Sequence, residues 1–246
     1  MKSLRLSHIQ RQWQSFERQA TQQGWTYGQF LQALCELEQQ RCTSRVERYL
    51  KESGLPRTKS LASFDFTCCP SVNQAQVLTL AQDSSWLQRG ENLLLFGPSG
   101  VGKTHLASGV SRSLIELGIR VKFTCATILV QQLQQAKADL QLPHLLAKLD
   151  KYELLVIDDL GYVKKSEAET SVLFELIAHR YEIRSLLITA NQTFSDWDTI
   201  FADATMTVAA IDRLVHHATI IEIQTQSFRQ KTALTRSTSS NSHPAK

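Results

Sequence analysis

The segment Gly97-Pro98-Ser99-Gly100-Val101-Gly102-Lys103-Thr104 has the spacing G-x-x-x-x-G-K-[ST]. Glycines so placed let successive backbone N–H groups turn inward around an anion, and a following helix N-terminus adds the positive end of its dipole. Lys103 supplies the charge that a β- or γ-phosphate needs, and the Thr104 hydroxyl suits Mg2+. An apolar run, Leu93–Phe96, precedes the loop and a helical pattern over 103–117 follows it. That strand–loop–helix context separates a phosphate cradle from a chance glycine-rich turn.

A second constellation is Leu154-Leu155-Val156-Ile157-Asp158-Asp159. An apolar strand ending in two carboxylates opens them into the crevice at the carboxyl edge of a parallel sheet, beside the first loop. Asp158 would hold Mg2+, directly or through its water. Asp159 would polarise an attacking water, as a general base must. A helix-capping Asp pair is the alternative. Asn191 follows the fourth apolar run, in Thr189-Ala190-Asn191, where an amide can orient the water; a turn-forming Asn is the competing reading. Arg213, in Ile211-Asp212-Arg213-Leu214, could reach the nucleotide of a neighbouring subunit, and a salt bridge to Asp212 or Glu222 is its plainer alternative.

Five short Leu/Ile/Val-rich runs must position these groups: Leu93–Phe96, Val121–Thr124, Leu154–Ile157, Leu186–Thr189 and Ile220–Ile223. Continuous apolar runs suit strands buried on both faces of a parallel sheet. Helical patterns at 103–117, 126–137, 167–183 and 204–217 lie between them, and Ser166-x-x-Glu169 is a capping box for the third. The expected fold is therefore a doubly wound α/β domain with a five-stranded parallel sheet, and the short remainder leaves no room for a C-terminal helical lid. Ahead of it, Leu6, Ile9, Trp13, Phe16 and Ala20 recur at helical spacing, and Thr26-x-x-Gln29 is a capping box for a second helix carrying Phe30, Leu34 and Leu37. Arg41, Arg45 and Arg48 share one face of it, with Arg57 and Lys59 following. The expected domains are a helical N-terminal one over 1–53, a linker over 54–63, an α/β domain over 64–229 and a disordered basic tail over 230–246.

The chain has 246 residues, 42% of them hydrophobic, enough to bury a core without disulfides or metal. Its longest apolar runs are about four residues, far below the ~20 of a membrane span, and the N-terminus shows no signal-peptide pattern. Five cysteines without a Cys-x-x-Cys fit reduced thiols and a cytoplasmic location. Residues 1–60 hold ten Lys/Arg against five Asp/Glu; residues 61–224 hold thirteen against eighteen; the tail adds four basic and no acidic residues. A mildly acidic body with basic ends fits polyanion-binding extensions, or simple solubility patterning. The neighbouring pair His216-His217 lacks a third ligand at metal spacing.

Together these residues resemble the AAA+ ATPases, and within them the branch of the helicase loader DnaC and the transposase helper IstB. The resemblance rests on Gly-Lys-Thr-His-Leu-Ala at 102–107 and Leu-Leu-Val-Ile-Asp-Asp-Leu-Gly at 154–161, with Asp159 where most AAA+ proteins have Glu. It extends to Tyr27-x-x-Phe30-Leu31, Phe64-Asp65-Phe66, Asn191-Gln192-x-Phe194-Ser195-x-Trp197, Asp212-Arg213-Leu214-x-His216 and Ser227-Phe228-Arg229. It implies an ATP- and Mg2+-dependent DNA-binding ATPase that self-associates and assists an insertion-sequence transposase. By the same resemblance, 97–104 with His105 is the nucleotide loop, Asp158 the Mg2+ residue and Asp159 the catalytic carboxylate. Asn191 becomes the polar sensor and Arg213 a finger acting across subunits. Arg229 becomes a second arginine near the phosphates, and Phe64 and Phe66 lie beside the adenine. Gln224-Thr225-Gln226 departs from the glycine usual before Ser227. A helicase loader, a small-molecule kinase and an ATP-binding switch with little hydrolysis are the alternatives. Arg41, Arg45 and Arg48 are the candidate contacts to DNA phosphates.

Overall fold

A computed structural model describes residues 6–161, 166–193, 197 and 204–225. The chain divides into two compact units at Lys51/Glu52. In the first, α1 (Ser7–Gln23) stops at Gly24, which takes a left-handed φ of 66°, and α2 (Tyr27–Ser53) follows after a tight reversal. The capping box is present: Thr26 N–H donates to Gln29 Oε1 at 2.8 Å and Gln29 N–H to Thr26 Oγ1 at 3.3 Å. Glu38 on α2 accepts from the His8 and Ile9 N–H groups, so a buried carboxylate satisfies the orphan donors at the start of α1. Burial opposes its charge, but the Arg41 guanidinium and these N–H groups outweigh burial and hold the Glu38 carboxyl below its usual range.

The second unit is the α/β body. Two 3-10 turns, Leu61–Ser63 and Phe66–Cys68, lead to α3 (Gln74–Gln82) and α4 (Ser85–Gln88). Then come β1 (Asn92–Phe96), α5 (Lys103–Glu116), β2 (Val121–Cys125), α6 (Ala126–Ala138), α7 (Leu142–Leu149) and β3 (Leu154–Leu160). α8 (Glu167–Arg180), β4 (Ser185–Ala190), α9 (Ala204–Val215) and β5 (Ala218–Glu222) complete it. All five strands are parallel, in the order β2-β3-β4-β1-β5. Every residue of β1 and β4 is buried, as expected of strands covered by helices on both faces. The order sets the C-terminal ends of β1 and β3 on either side of β4, so the phosphate loop, the Asp pair and Asn191 emerge at one edge.

Three helices escape the sequence reading. α3, α4 and α7 have nine, four and eight residues, too few turns for a periodic signal. α8 ends at Arg180, short of the expected 183, and Glu182 then takes a φ of 58°. β5 begins two residues before the expected Ile220, while Ile223 still donates to Phe96 O at 2.8 Å. Within residues 54–63, expected as a linker, Pro56, Arg57, Lys59, Ser60 and Ser63 are bonded to Arg112 and His105 of α5. Arg229, the 230–246 tail, Phe194, Ser195, Ser227 and Phe228 lie outside the described residues. No described helix is long and apolar enough to cross a membrane.

Candidate functional site

β1 delivers the loop. Gly97 sits at φ 144°, where a Cβ would stand 2.4 Å from the Ile223 carbonyl oxygen, so only glycine lets the loop leave the sheet there. Lys103 opens α5 and is buried; its ammonium donates to Gly97 O at 2.6 Å, Pro98 O at 2.9 Å and Asn191 Oδ1 at 2.7 Å. The charge thus stands inside the loop, held by two loop carbonyls and the Asn191 amide oxygen. The Asn191 contact ties the end of β4 to the same point.

The two carboxylates reach the site by a device that alternation alone does not supply. Successive residues of a regular strand point to opposite faces. Here Ile157 pairs with Ile188 and Leu160 with Ala190, so Asp158 and Asp159 together stand opposite Thr189. Asp159 takes a φ of 60°, and its N–H donates to Thr189 Oγ1 at 2.9 Å. That bulge re-aims one side chain beside the other. The same Thr189 hydroxyl donates to Asp158 Oδ1 at 2.7 Å, so one side chain orients both acidic residues. Burial pushes the Asp158 carboxyl above its usual range; Asp159 adds repulsion, while the Thr189 and Thr104 hydroxyls and the charge of Lys59 oppose the rise.

A cavity of about 370 Å³ gathers Ser99, Gly100, Gly102, Lys103, Thr104, His105, Asp159 and Asn191; the buried Asp158 is not among its lining residues. Lys59, expected near the DNA-binding arginines, lines this cavity instead. Phe64 and Phe66 are not among its lining residues. The Phe64 ring is buried against Gly102, where a Cβ would meet it at 3.0 Å, and stacks edge-on with Phe66 and His105 at 4.8 and 5.4 Å. Arg213 is outside it as well: Nη1 donates to Ala209 O at 2.8 Å and the guanidinium lies 5.1 Å from the Phe174 ring centre. The salt bridges to Asp212 or Glu222 offered as its alternative are not among the ion pairs of the described residues.

In the helical unit, Arg41, Arg45 and Arg48 line one groove of about 530 Å³ together with Arg11, His8 and Gln12. Arg41 is paired with Glu38, which takes up part of its charge. The statement that His216-His217 lacks a third ligand needs correction: Glu182 Oε1 lies 3.8 Å from His216 Nδ1 and from His217 Nε2. The sequence hides this because Glu182 is 34 positions away, on the turn after α8. All three are exposed, and the Tyr181 hydroxyl is 2.6 Å from His216 Nδ1.

Sequence reasoning gave no role to Thr189 or Arg11 and assigned Lys59 to the DNA-binding face. The signal for Thr189 was its place two residues before Asn191, on the strand beside the Asp pair.

Comparison with known proteins shows the family. The model of the family described as IstB-like ATP binding protein matches residues 1–236. An insertion sequence ATP-binding protein of Sinorhizobium fredii is 52% identical over 95% of this chain and 79% of its own length. The ATP-binding protein of insertion sequence IS21 from Pseudomonas aeruginosa is 35% identical, covering 93% of this chain and 86% of that protein. Among solved structures, the DnaC helicase loader superposes with a TM-score of 0.54 at 21% identity, over 72% of this chain and 99% of that one. AMPPCP-bound DnaA from Aquifex aeolicus gives 0.56 at 16% identity, over 79% and 59%. These two show the fold, a P-loop AAA+ domain. With its phosphate loop, acidic pair and near full-length kinship, the chain belongs to the IstB-like ATP-binding proteins of insertion sequences.

Proposed function

We propose that this protein hydrolyses ATP while assembled on duplex DNA, and that it thereby assists an insertion-sequence transposase in engaging its target. The observation that carries the reading is the bulge that sets Asp159 in one cavity with Lys103, Thr104 and Asn191, next to the buried Asp158. A site built only to hold nucleotide needs the loop; a second, exposed carboxylate beside a buried one suits water attack.

The roles follow from position. Lys103 neutralises the β- and γ-phosphates. Thr104 and Asp158 offer hard oxygen donors, which fit Mg2+. When bound, that ion neutralises charge on the phosphates. Asp159 accepts the proton of the attacking water; Asn191 orients the water; the bond from the terminal phosphorus to the bridging oxygen breaks, releasing ADP and phosphate. Arg213, outside its own chain's cavity, acts as a finger toward the nucleotide of a neighbouring subunit, which makes turnover depend on assembly. Phe64 and Phe66 support the loop from behind and reach the adenine edge, and Arg229 completes the phosphate contacts from the C-terminal segment. The domain limits are taken as 1–53, 54–63, 64–229 and 230–246, and the protein works in the cytoplasm, where its five free thiols stay reduced.

The relatives that match nearly the whole chain, helical unit included, are insertion-sequence proteins by name. That favours a transposase partner over a replicative helicase. The arginine groove gives the DNA contact, sequence-tolerant because phosphate contacts position without reading bases. Each neutralised phosphate steepens the fall of log K against log salt by about 0.9. Salt titrations of the ATP-bound protein on two unrelated duplexes test this. Arg45→Ala with Arg48→Ala should flatten the slope by up to about 2 per protomer on both. An unchanged slope removes the groove from the DNA interface.

A further inference from the structure

We propose that Lys59 is a ligand of the nucleotide's terminal phosphate, delivered in cis by the strap of chain that joins α2 to the first 3-10 turn. The proposal rests on ATP binding by this family and is independent of whether ATP is hydrolysed.

The first observation is where the side chain goes. Lys59 lines the same cavity as Lys103, Thr104, Asp159 and Asn191. The last two stand at the C-terminal ends of β3 and β4, and the Lys103 ammonium that reaches Asn191 Oδ1 also reaches the loop carbonyls of Gly97 and Pro98. A nucleotide whose β-phosphate sits in the loop therefore points its terminal phosphate toward them. No hydrogen bond from the Lys59 ammonium occurs among the described residues.

The second observation is that the strap is seated, not loose. The Arg112 guanidinium on α5 donates to three of its carbonyls: Pro56 O and Arg57 O at 3.1 Å and Lys59 O at 3.3 Å. The His105 ring, one turn into α5, lies 2.9 Å from Ser60 O and 3.0 Å from Ser63 Oγ. Ser60 and Ser63 cap one another's backbone in a reciprocal box. Gly109 leaves the space: a Cβ there would stand 2.8 Å from Leu61 Cδ2 and 2.9 Å from its backbone nitrogen. The carbonyl of Lys59 and that of the next residue are thus both clamped to the helix that begins with Lys103. Its flexible stem starts from a fixed point.

Charge supplies the reason for a second lysine. Lys103 is matched by two carbonyls and the Asn191 amide oxygen, while Asp158 and Asp159 bring negative charge to the place where a terminal phosphate must sit. Like charges so close oppose binding, and an ammonium from Lys59 adds to the neutralisation that a bound Mg2+ would supply there. ADP lacks that phosphate, so a contact from Lys59 separates ATP from ADP without changing affinity for the shared part.

Isothermal titration of the full-length protein with Mg·ADP and with Mg·AMPPCP, an analogue that keeps the terminal phosphate, tests this directly. Lys59→Ala should weaken AMPPCP by about 10- to 100-fold, the range of one charge-assisted hydrogen bond, and leave ADP within about 2-fold. Lys59→Arg should restore most of the AMPPCP affinity. Unchanged affinity for both nucleotides in Lys59→Ala, or an equal loss for both, overturns the proposal; the second result would mean that Lys59 only supports the strap. Wild-type protein that binds neither nucleotide would overturn the ATP reading itself, and the proposal with it.

Discussion

Thr189→Val is nearly isosteric, yet it removes the hydroxyl that organises both carboxylates. Asp158 loses a 2.7 Å donor to a buried, charged acceptor, a contact of about 1.5–3 kcal/mol. The Asp159 N–H loses its 2.9 Å acceptor, a more ordinary contact of about 0.5–1.5 kcal/mol. The sum is roughly 2–4 kcal/mol, and at about 2–4 °C per kcal/mol for a body of this size the melting temperature should fall by roughly 5–15 °C. The deficit also depends on pH. Asp158 already titrates above its usual 3.8, and loss of the donor pushes it higher still. The extra penalty falls on the ionised form alone, so the gap between variant and wild type should be widest at neutral pH and narrow as pH falls through the Asp158 range. Thermal melts followed by circular dichroism from pH 5 to pH 8, with Thr189→Ser as the hydroxyl-keeping control, provide the assay. A valine variant that melts within about 2 °C of wild type, or whose deficit is flat with pH, refutes the bridging role.

Two further outcomes follow from the site. Because the Asp158 pKa is raised on folding, the folded chain binds more protons than the unfolded one between 3.8 and the higher folded value, and stability falls as pH rises through that window. Asp158→Asn should therefore raise the nucleotide-free melting temperature at pH 7.5, with the gain vanishing toward pH 4; a lower melting temperature at neutral pH would contradict it. Arg213→Ala gives up a contact over Phe174 of about 0.5–1 kcal/mol, so the protein should fold and bind ATP but fail to turn it over. Mixing it with Lys103→Ala should recover part of the activity, since one interface then combines an intact loop with an intact finger. No recovery at any ratio would argue against a shared site.

The loop, the acidic pair and the parallel strands were legible because each is local. Gly97 through Thr104 is a contiguous pattern, and a run such as Leu154–Ile157 announces burial on both faces within four residues. The bulge was not legible. It depends on Thr189, thirty positions from Asp159, donating to one aspartate and accepting from the next, and no periodicity records such an exchange. Lys59 was misplaced for a similar reason. Its neighbours in sequence are polar and basic, the signature of a linker, whereas its position is decided by Arg112 and His105 on a helix some fifty residues later. α7 was missed because eight residues, with Pro143 in the first turn, leave too little pattern to read, although Leu142, Leu146 and Leu149 are all buried. The arginine face on α2 was read correctly from spacing, but the contribution of Arg11 from α1 requires the hairpin.

We propose that the bulged acidic pair makes this protein hydrolyse ATP and not merely hold it. Phosphate release by the full-length protein with Mg·ATP, with and without duplex DNA, measured beside Asp159→Asn, tests it most directly. The carboxamide cannot take the water's proton, so the variant should bind ATP as wild type does while turnover falls by about 10²- to 10⁴-fold, and wild-type turnover should rise when DNA is added. Equal rates for the two proteins, or ATP-saturated wild type that releases no phosphate on DNA, would contradict the account.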